Sequence, residues 1–208
     1  KMKEKTFLKR NILTDDERET MRKSRKELKF NHHLTFDSFG QVPRDINNNE
    51  FGTIGLCSNT GFIYFAPKRV NEPKETLDNL KGFLTKDALI DVNSCHTDNG
   101  IEFKAEFDDF LQENHVQHQC GTPNRPVSNG LIERQVGEVK RGIRALLLEA
   151  KLLVSFWSLA ASVWTFNKNK ELEVAKYLPQ FNRKRLRFGQ RVFAKKPEVA
   201  NTFEPTAA

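Results

Sequence analysis

From Leu34 onward the segment LTFDSF alternates apolar and polar positions, and after a polar turn at DINNNE two short apolar runs follow, FGTIGLC and GFIYFAP, separated by Ser58-Asn59-Thr60. A period of two belongs to strands with one buried face, so three successive strands are predicted, the last two as a hairpin. The period then changes. Pro73 stands at the first turn of EPKETLDNLKGFL, where Leu77, Leu80 and Leu84 recur at helical spacing. ALIDVNSCH reads as a fourth strand ending at Thr97-Asp98-Asn99-Gly100, and IEFKAEFDDFLQEN places Phe103, Phe107, Phe110 and Leu111 on one helical face. VQHQC is a fifth short strand. The stretch GTPNRPVSNG, with its prolines and glycines, reads as a loop. Two helices are predicted beyond it, LIERQVGEVKRGIRALLLEAK and LVSFWSLAASVWTFNK; in the second, Trp157 and Trp164 fall at core spacing, which favours burial over stacking on a base. Strands interleaved with helices need both sheet faces covered, so the expected class is α/β, a mixed five-stranded sheet flanked by helices.

Composition marks off the ends. Residues 1–30 are densely charged and hold Thr14-Asp15-Asp16-Glu17, a capping box expected to open a helix running to Leu28; they read as a charged N-terminal arm or linker. Residues 31–170 form the expected core domain, and 171–208 a basic C-terminal extension in which RFGQRVFAKKP would start a small β unit.

Charge sharpens this division. The formal net charge is +7, but the span from Arg134 to Lys196 alone carries +11, so basic material is concentrated where a phosphate backbone could be tracked. Cys57, Cys95 and Cys120 match neither a disulfide framework nor a paired zinc motif, and are expected as buried free thiols in a reducing compartment. His32 and His33 have no cysteine pair beside them, which argues against a zinc site there. His115 and His118 lie far from the motifs in sequence, and Asp108 and Asp109 read as the wet side of their helix. No run of roughly 18 apolar residues occurs, so no membrane partner is expected.

Three carboxylates stand where predicted elements begin or end: Asp37 in the first strand, Asp98 after the fourth, and Glu133 in the first turn of the long helix. Converging carboxylates repel one another unless a cation joins them, and a pair of hard divalent ions is a common means of in-line displacement at phosphorus. Gly137, Lys140 and Arg144 follow Glu133 at intervals of three and four and share its helix face, where Lys140 and Arg144 would reach DNA phosphates; a solvated basic face is the competing reading.

The segments F-D-S-F-G, H-T-D-N-G-I-E-F and T-P-N-R-P-V-S-N-G-L-I-E-R resemble, in order and in flanking residues, the three acidic motifs of retroviral and LTR-retrotransposon integrases. Phe156-Trp157 and the later R-F-G-Q-R-V-F resemble the copia-type branch in particular, and the similarity covers roughly residues 34–196. The resemblance implies an RNase H-like catalytic core in which Asp37, Asp98 and Glu133 are catalytic and hold two Mg²⁺ or Mn²⁺ ions. It implies DNA contacts from Asn99, Arg125, Ser128, Asn129, Lys140 and Arg144. The implied activity is polynucleotidyl transfer: 3′-end processing of a linear DNA copy and strand transfer into target DNA. It further implies a homo-oligomer acting on element ends and target DNA, with the nucleus as the expected location. The alternative is a domesticated, catalytically retired domain that binds nucleic acid or protein in a larger assembly. Several departures keep it open: the family's N-terminal His-His-Cys-Cys zinc pattern is not seen, the Glu133 spacing is one residue shorter than the habitual one, the C-terminal region is more compressed than the copia-type pattern, and Ser58-Asn59 stands in a hairpin where an acidic pair is frequent.

Overall fold

The computed structural model describes residues 14–84, 91–121, 130–182 and 188–189. A five-stranded sheet organises them, with strands β1 (His33–Phe39), β2 (Phe51–Cys57), β3 (Ile63–Lys68), β4 (Ser94–Thr97) and β5 (Gln117–Cys120) in the order β3-β2-β1-β4-β5. β1–β2 and β2–β3 pair antiparallel, whereas β1–β4 and β4–β5 pair parallel, so the sheet is mixed as the alternating pattern predicts. The helices are α1 (Asp15–Glu27), α2 (Pro73–Phe83), α3 (Glu106–Glu113), α4 (Gly130–Ala150) and α5 (Trp157–Asn169).

The two faces of β1 feed two cores. Leu34 and Phe36 point into a cluster with Leu77, Leu80, Phe103, Phe107 and Leu111 from α2, α3 and the turn between β4 and α3. Phe39, two residues beyond Asp37, joins the opposite cluster with Ile132, Val136, Val139 and Ile143 of α4 and Trp157 and Ala160 of α5. The period-two rule therefore turns Asp37 toward the α4 side of the sheet. Gly142 lets α4 and α5 cross closely, because a Cβ there would overlap the Trp164 ring. Trp157 is 3% exposed and its Nε1 donates to Pro43 O at 3.0 Å, so both tryptophans pack within the protein.

Asn169, the last residue of α5, accepts from Ile63 N at 2.8 Å and donates to Ile63 O at 2.7 Å. An amide side chain thus serves as a neighbour for edge strand β3, satisfying backbone groups that would otherwise invite pairing with another chain. The capping box at Thr14 forms as expected: Thr14 N donates to Glu17 Oε2 at 2.8 Å, and Glu17 N donates to Thr14 Oγ1 at 3.2 Å.

Several expected elements end differently. β4 (Ser94–Thr97) takes in only the last three residues of ALIDVNSCH, Asp91 to Asn93 lead into it outside the strand, and residues 88–90 lie outside the described set. IEFKAEFDDFLQEN is not one helix: a 3-10 turn over Ile101–Phe103 is separated from α3 by Ala105 at φ 48°, which places Phe103 and Phe107 edge to face at 5.3 Å. Val174, Ala175, Leu178 and Phe181, beyond the composition change at 170, are buried in the same cluster as Leu34. Leu28 and Phe30 pack against it too, so apolar contacts of the core reach past both positions where composition changes. Of RFGQRVFAKKP only Phe188 and Gly189 are described. Cys57 and Cys95 are buried, but Cys120 is exposed, because β5 is the sheet's outer strand and leaves that side chain uncovered. No single helix among the described residues is long and apolar enough to cross a membrane.

Candidate active site

Asp37 lies in mid-β1, paired across the ladder with Ile54, and is half-buried. The backbone N–H of Ser38 donates to its Oδ1 at 2.7 Å. Burial pushes its carboxyl up to about 6 against that hydrogen bond, and the charges of Asp98, Glu102 and Glu133 push the same way. All three acidic motifs therefore deliver their carboxylates into one electrostatic neighbourhood, with Glu102 as a fourth.

Asp98 follows β4 directly, at the carboxyl end of a parallel strand, where α/β sheets open their ligand crevices. Its Oδ1 accepts from Gly100 N at 2.8 Å, closing a tight turn. A methyl group at Gly100 would lie 2.5 Å from Oε2 of Glu102 and 2.8 Å from Oδ1 of Asp98, so glycine is what lets these carboxylates flank the turn. Glu102 is 7% exposed. Asn99 donates from Nδ2 to Gly121 O at 2.7 Å, and Gly121 N donates to Thr97 O at 2.8 Å, so Asn99 is engaged in fastening the turn to the chain just past β5.

Glu133 is exposed in the first turn of α4, where the helix dipole favours a carboxylate. On the same helix Lys140 and Arg144 are exposed, and Lys140 Nζ sits 5.3 Å from the centroid of Phe39, a cation–π contact that places its charge beside the end of β1. Arg125, Ser128 and Asn129 lie outside the described residues.

Two features had no signal in the sequence. Lys68, at the end of β3, is 2% exposed and donates to Ser38 Oγ and Thr76 Oγ1, both at 2.9 Å. His118, remote in sequence from the acidic motifs, lies beside one of them: its Nε2 is 2.9 Å from Thr97 Oγ1, and its Nδ1 is 2.7 Å from Oδ1 of Asp108. Asp108 is thus a hydrogen-bonding partner of His118 rather than merely the wet side of α3, and Thr97 also donates to Asp98 O at 2.9 Å. The parallel β4–β5 register, with Cys95 opposite His118, brings this set together.

The donor set is all carboxylate oxygen, which suits Mg²⁺ or Mn²⁺ rather than a soft metal. Among the described residues no group of three or more His, Cys, Asp or Glu side chains is spaced to hold one ion, so the carboxylates converge without forming a closed shell.

Comparison with solved structures decides the fold. The catalytic core domain of HTLV-2 integrase, in complex with magnesium and in a trimeric form, superposes with a TM-score of 0.53 at 21% identity, covering 68% of this chain and 86% of that one. A chain of the simian T-cell lymphotropic virus intasome in complex with the PP2A regulatory subunit B56 gamma gives 0.55 at 20%, covering 66% and 48%. The fold is that of an integrase catalytic core. Sequence relatives of this core are Pol polyproteins: that of feline foamy virus is 31% identical over 121 residues, covering 58% of this chain and 10% of the relative. The Pol polyprotein of the Nicotiana tabacum transposon TNT 1-94 is 28% identical over 122 residues, covering 53% and 9%. The chain thus spans about a tenth of the length of the curated relatives it matches. No protein-family model matches it.

Proposed function

We propose that this integrase core is a polynucleotidyl transferase that processes 3′ ends of DNA and joins them to target DNA. The observation carrying the reading is the convergence on Asp37 of carboxylates from all three acidic motifs. Asp37, Asp98 and Glu133 would hold two divalent ions, which supply the charge that activates an attacking oxygen and stabilises the leaving one. The protein's own contributions follow from the geometry described. β1 and β4 fix Asp37 and Asp98 on a sheet with core packed on both faces. The Ser38 and Gly100 N–H groups aim those two carboxylates. Glu133 enters from an exposed helix turn, and Lys140 and Arg144 lie along the same helix to receive DNA phosphates. Asn99 acts through its bond to Gly121, positioning the chain just before residues 122–129, and DNA contact from Arg125, Ser128 and Asn129 is part of the proposal. Self-association is part of the reading, since two DNA ends must be joined in concert.

The spacing of the carboxylates keeps one rival: a retired core that binds nucleic acid or protein without turnover. A strand-transfer assay with the full chain, labelled element-end DNA and Mn²⁺ separates the two. Joined product that disappears in Asp98→Asn supports the transferase, whereas binding that needs no metal and gives no product supports the rival.

A further inference from the structure

A lysine that is 2% exposed cannot reach a DNA phosphate, and a methionine would fill the same space without desolvating a charge, so Lys68 needs another explanation. Its two hydrogen-bond acceptors are the neutral hydroxyls of Ser38 and Thr76, and among the described residues no carboxylate is in ion-pair contact with it. Ser38 is the residue whose N–H aims Asp37, and Thr76 is anchored by its own donation to Glu72 O at 3.0 Å. The ammonium is therefore pinned between β1 and α2, immediately behind the acidic site. Burial pulls it down to about 8, and the carboxylates of Glu102, Glu75 and Asp37, in that order, oppose the pull.

We propose that Lys68 is a positioning residue whose buried ammonium, held between Ser38 and Thr76, is the internal counter-charge of the acidic site, keeping Asp37 and Glu102 converged until divalent cations take over that role. The proposal deepens the transferase reading and rests on it. A charge in this position has a signature that a packing side chain lacks: its worth depends on the carboxylates being charged and on the metal being absent.

The test is thermal unfolding of the full chain in EDTA and in Mn²⁺, for wild type, Lys68→Met, Lys68→Arg, Glu102→Gln and the Lys68→Met/Glu102→Gln double variant. In EDTA, Lys68→Met should lower the midpoint, Glu102→Gln should cancel at least half of that loss, and Lys68→Arg should restore the wild-type midpoint. The Mn²⁺-induced rise should be at least twice as large in Lys68→Met as in wild type. Additive effects in EDTA, or a Lys68→Met protein as stable as wild type, overturn the proposal. Should Lys68→Met not fold, ¹⁵N detection of the Lys68 ammonium in Glu102→Gln decides: its titration midpoint should fall by half a pH unit or more, and an unmoved midpoint overturns the idea. Absence of any Mn²⁺ effect on the wild-type protein would defeat the transferase reading alone, because the EDTA comparison still decides the role of Lys68.

Discussion

Asp37 is the residue on which most of the site's electrostatics falls. Burial pushes its carboxyl up to about 6 in the folded chain, above the ordinary value of 3.8. The folded state therefore binds more protons than the unfolded state between those values, and stability falls as pH rises through that window. Above about 6 the whole cost is present. Asp37→Asn should stabilise the metal-free protein at pH 7 by about 1–2 kcal/mol, a figure reduced for the solvent that still reaches the group, with no gain below pH 4. Urea unfolding at the two pH values checks this; equal stability of the two proteins at pH 7 would contradict the account. Metal affinity should likewise climb with pH until Asp37 is ionised and then level off. Asp37, Asp98 and Glu133 stand out in the sequence as candidates because each sits in a motif with its own flanking residues. Lys68 and the pairing of His118 with Thr97 and Asp108 do not, since those depend on which strands lie side by side. The period-two pattern says that β5 exists, but not that His118 faces the end of β4.

At the scale of elements, the strands were legible wherever an alternation or a short apolar run was bounded by a turn, as in β1 to β3. β4 was overextended because apolar residues alone do not distinguish a strand from the approach to one. The split of IEFKAEFDDFLQEN into a 3-10 turn and α3 was hidden because Phe103 and Phe107 keep helical spacing across the break. Two predictions belong here. Gly142→Val should destabilise the protein by about 2–3 kcal/mol, since the added methyls meet the Trp164 ring where α4 and α5 cross; chemical denaturation reads the loss, and a neutral effect would mean the helices can separate at that point. His118→Ala removes one partner each from the Thr97 hydroxyl and the Asp108 carboxylate, which keep Asp98 O and Gln112, and should cost about 1 kcal/mol. Because Thr97 also bonds Asp98 O, this variant should weaken Mn²⁺ binding as well as stability, an effect visible by calorimetry.

For the whole molecule, the charge distribution sets the expected behaviour on DNA. Acidic side chains gather around Asp37, while the net positive charge lies between Arg134 and Lys196, most of it beyond α4, so a DNA backbone would be drawn toward the C-terminal third, with Lys140 and Arg144 as the cations on the helix of Glu133. Lys140→Ala and Arg144→Ala should each lower the slope of log affinity against log salt by about one, without changing sequence preference. Slopes equal to wild type, measured by fluorescence anisotropy, would assign these residues to a merely solvated face. The mixed sheet and its five strands were legible from the alternation of elements. That Val174 to Phe181 belong to the main core was not, because basic residues interrupt their apolar pattern.

The central claim is that the three acidic motifs form one divalent-metal site. Titration calorimetry of the full chain with Mn²⁺, alongside Asp37→Asn and Asp98→Asn, tests it most directly. The account predicts saturable binding to the wild-type protein and at least a tenfold loss in each variant. Absence of binding to the wild type, or binding unchanged by both substitutions, would contradict it.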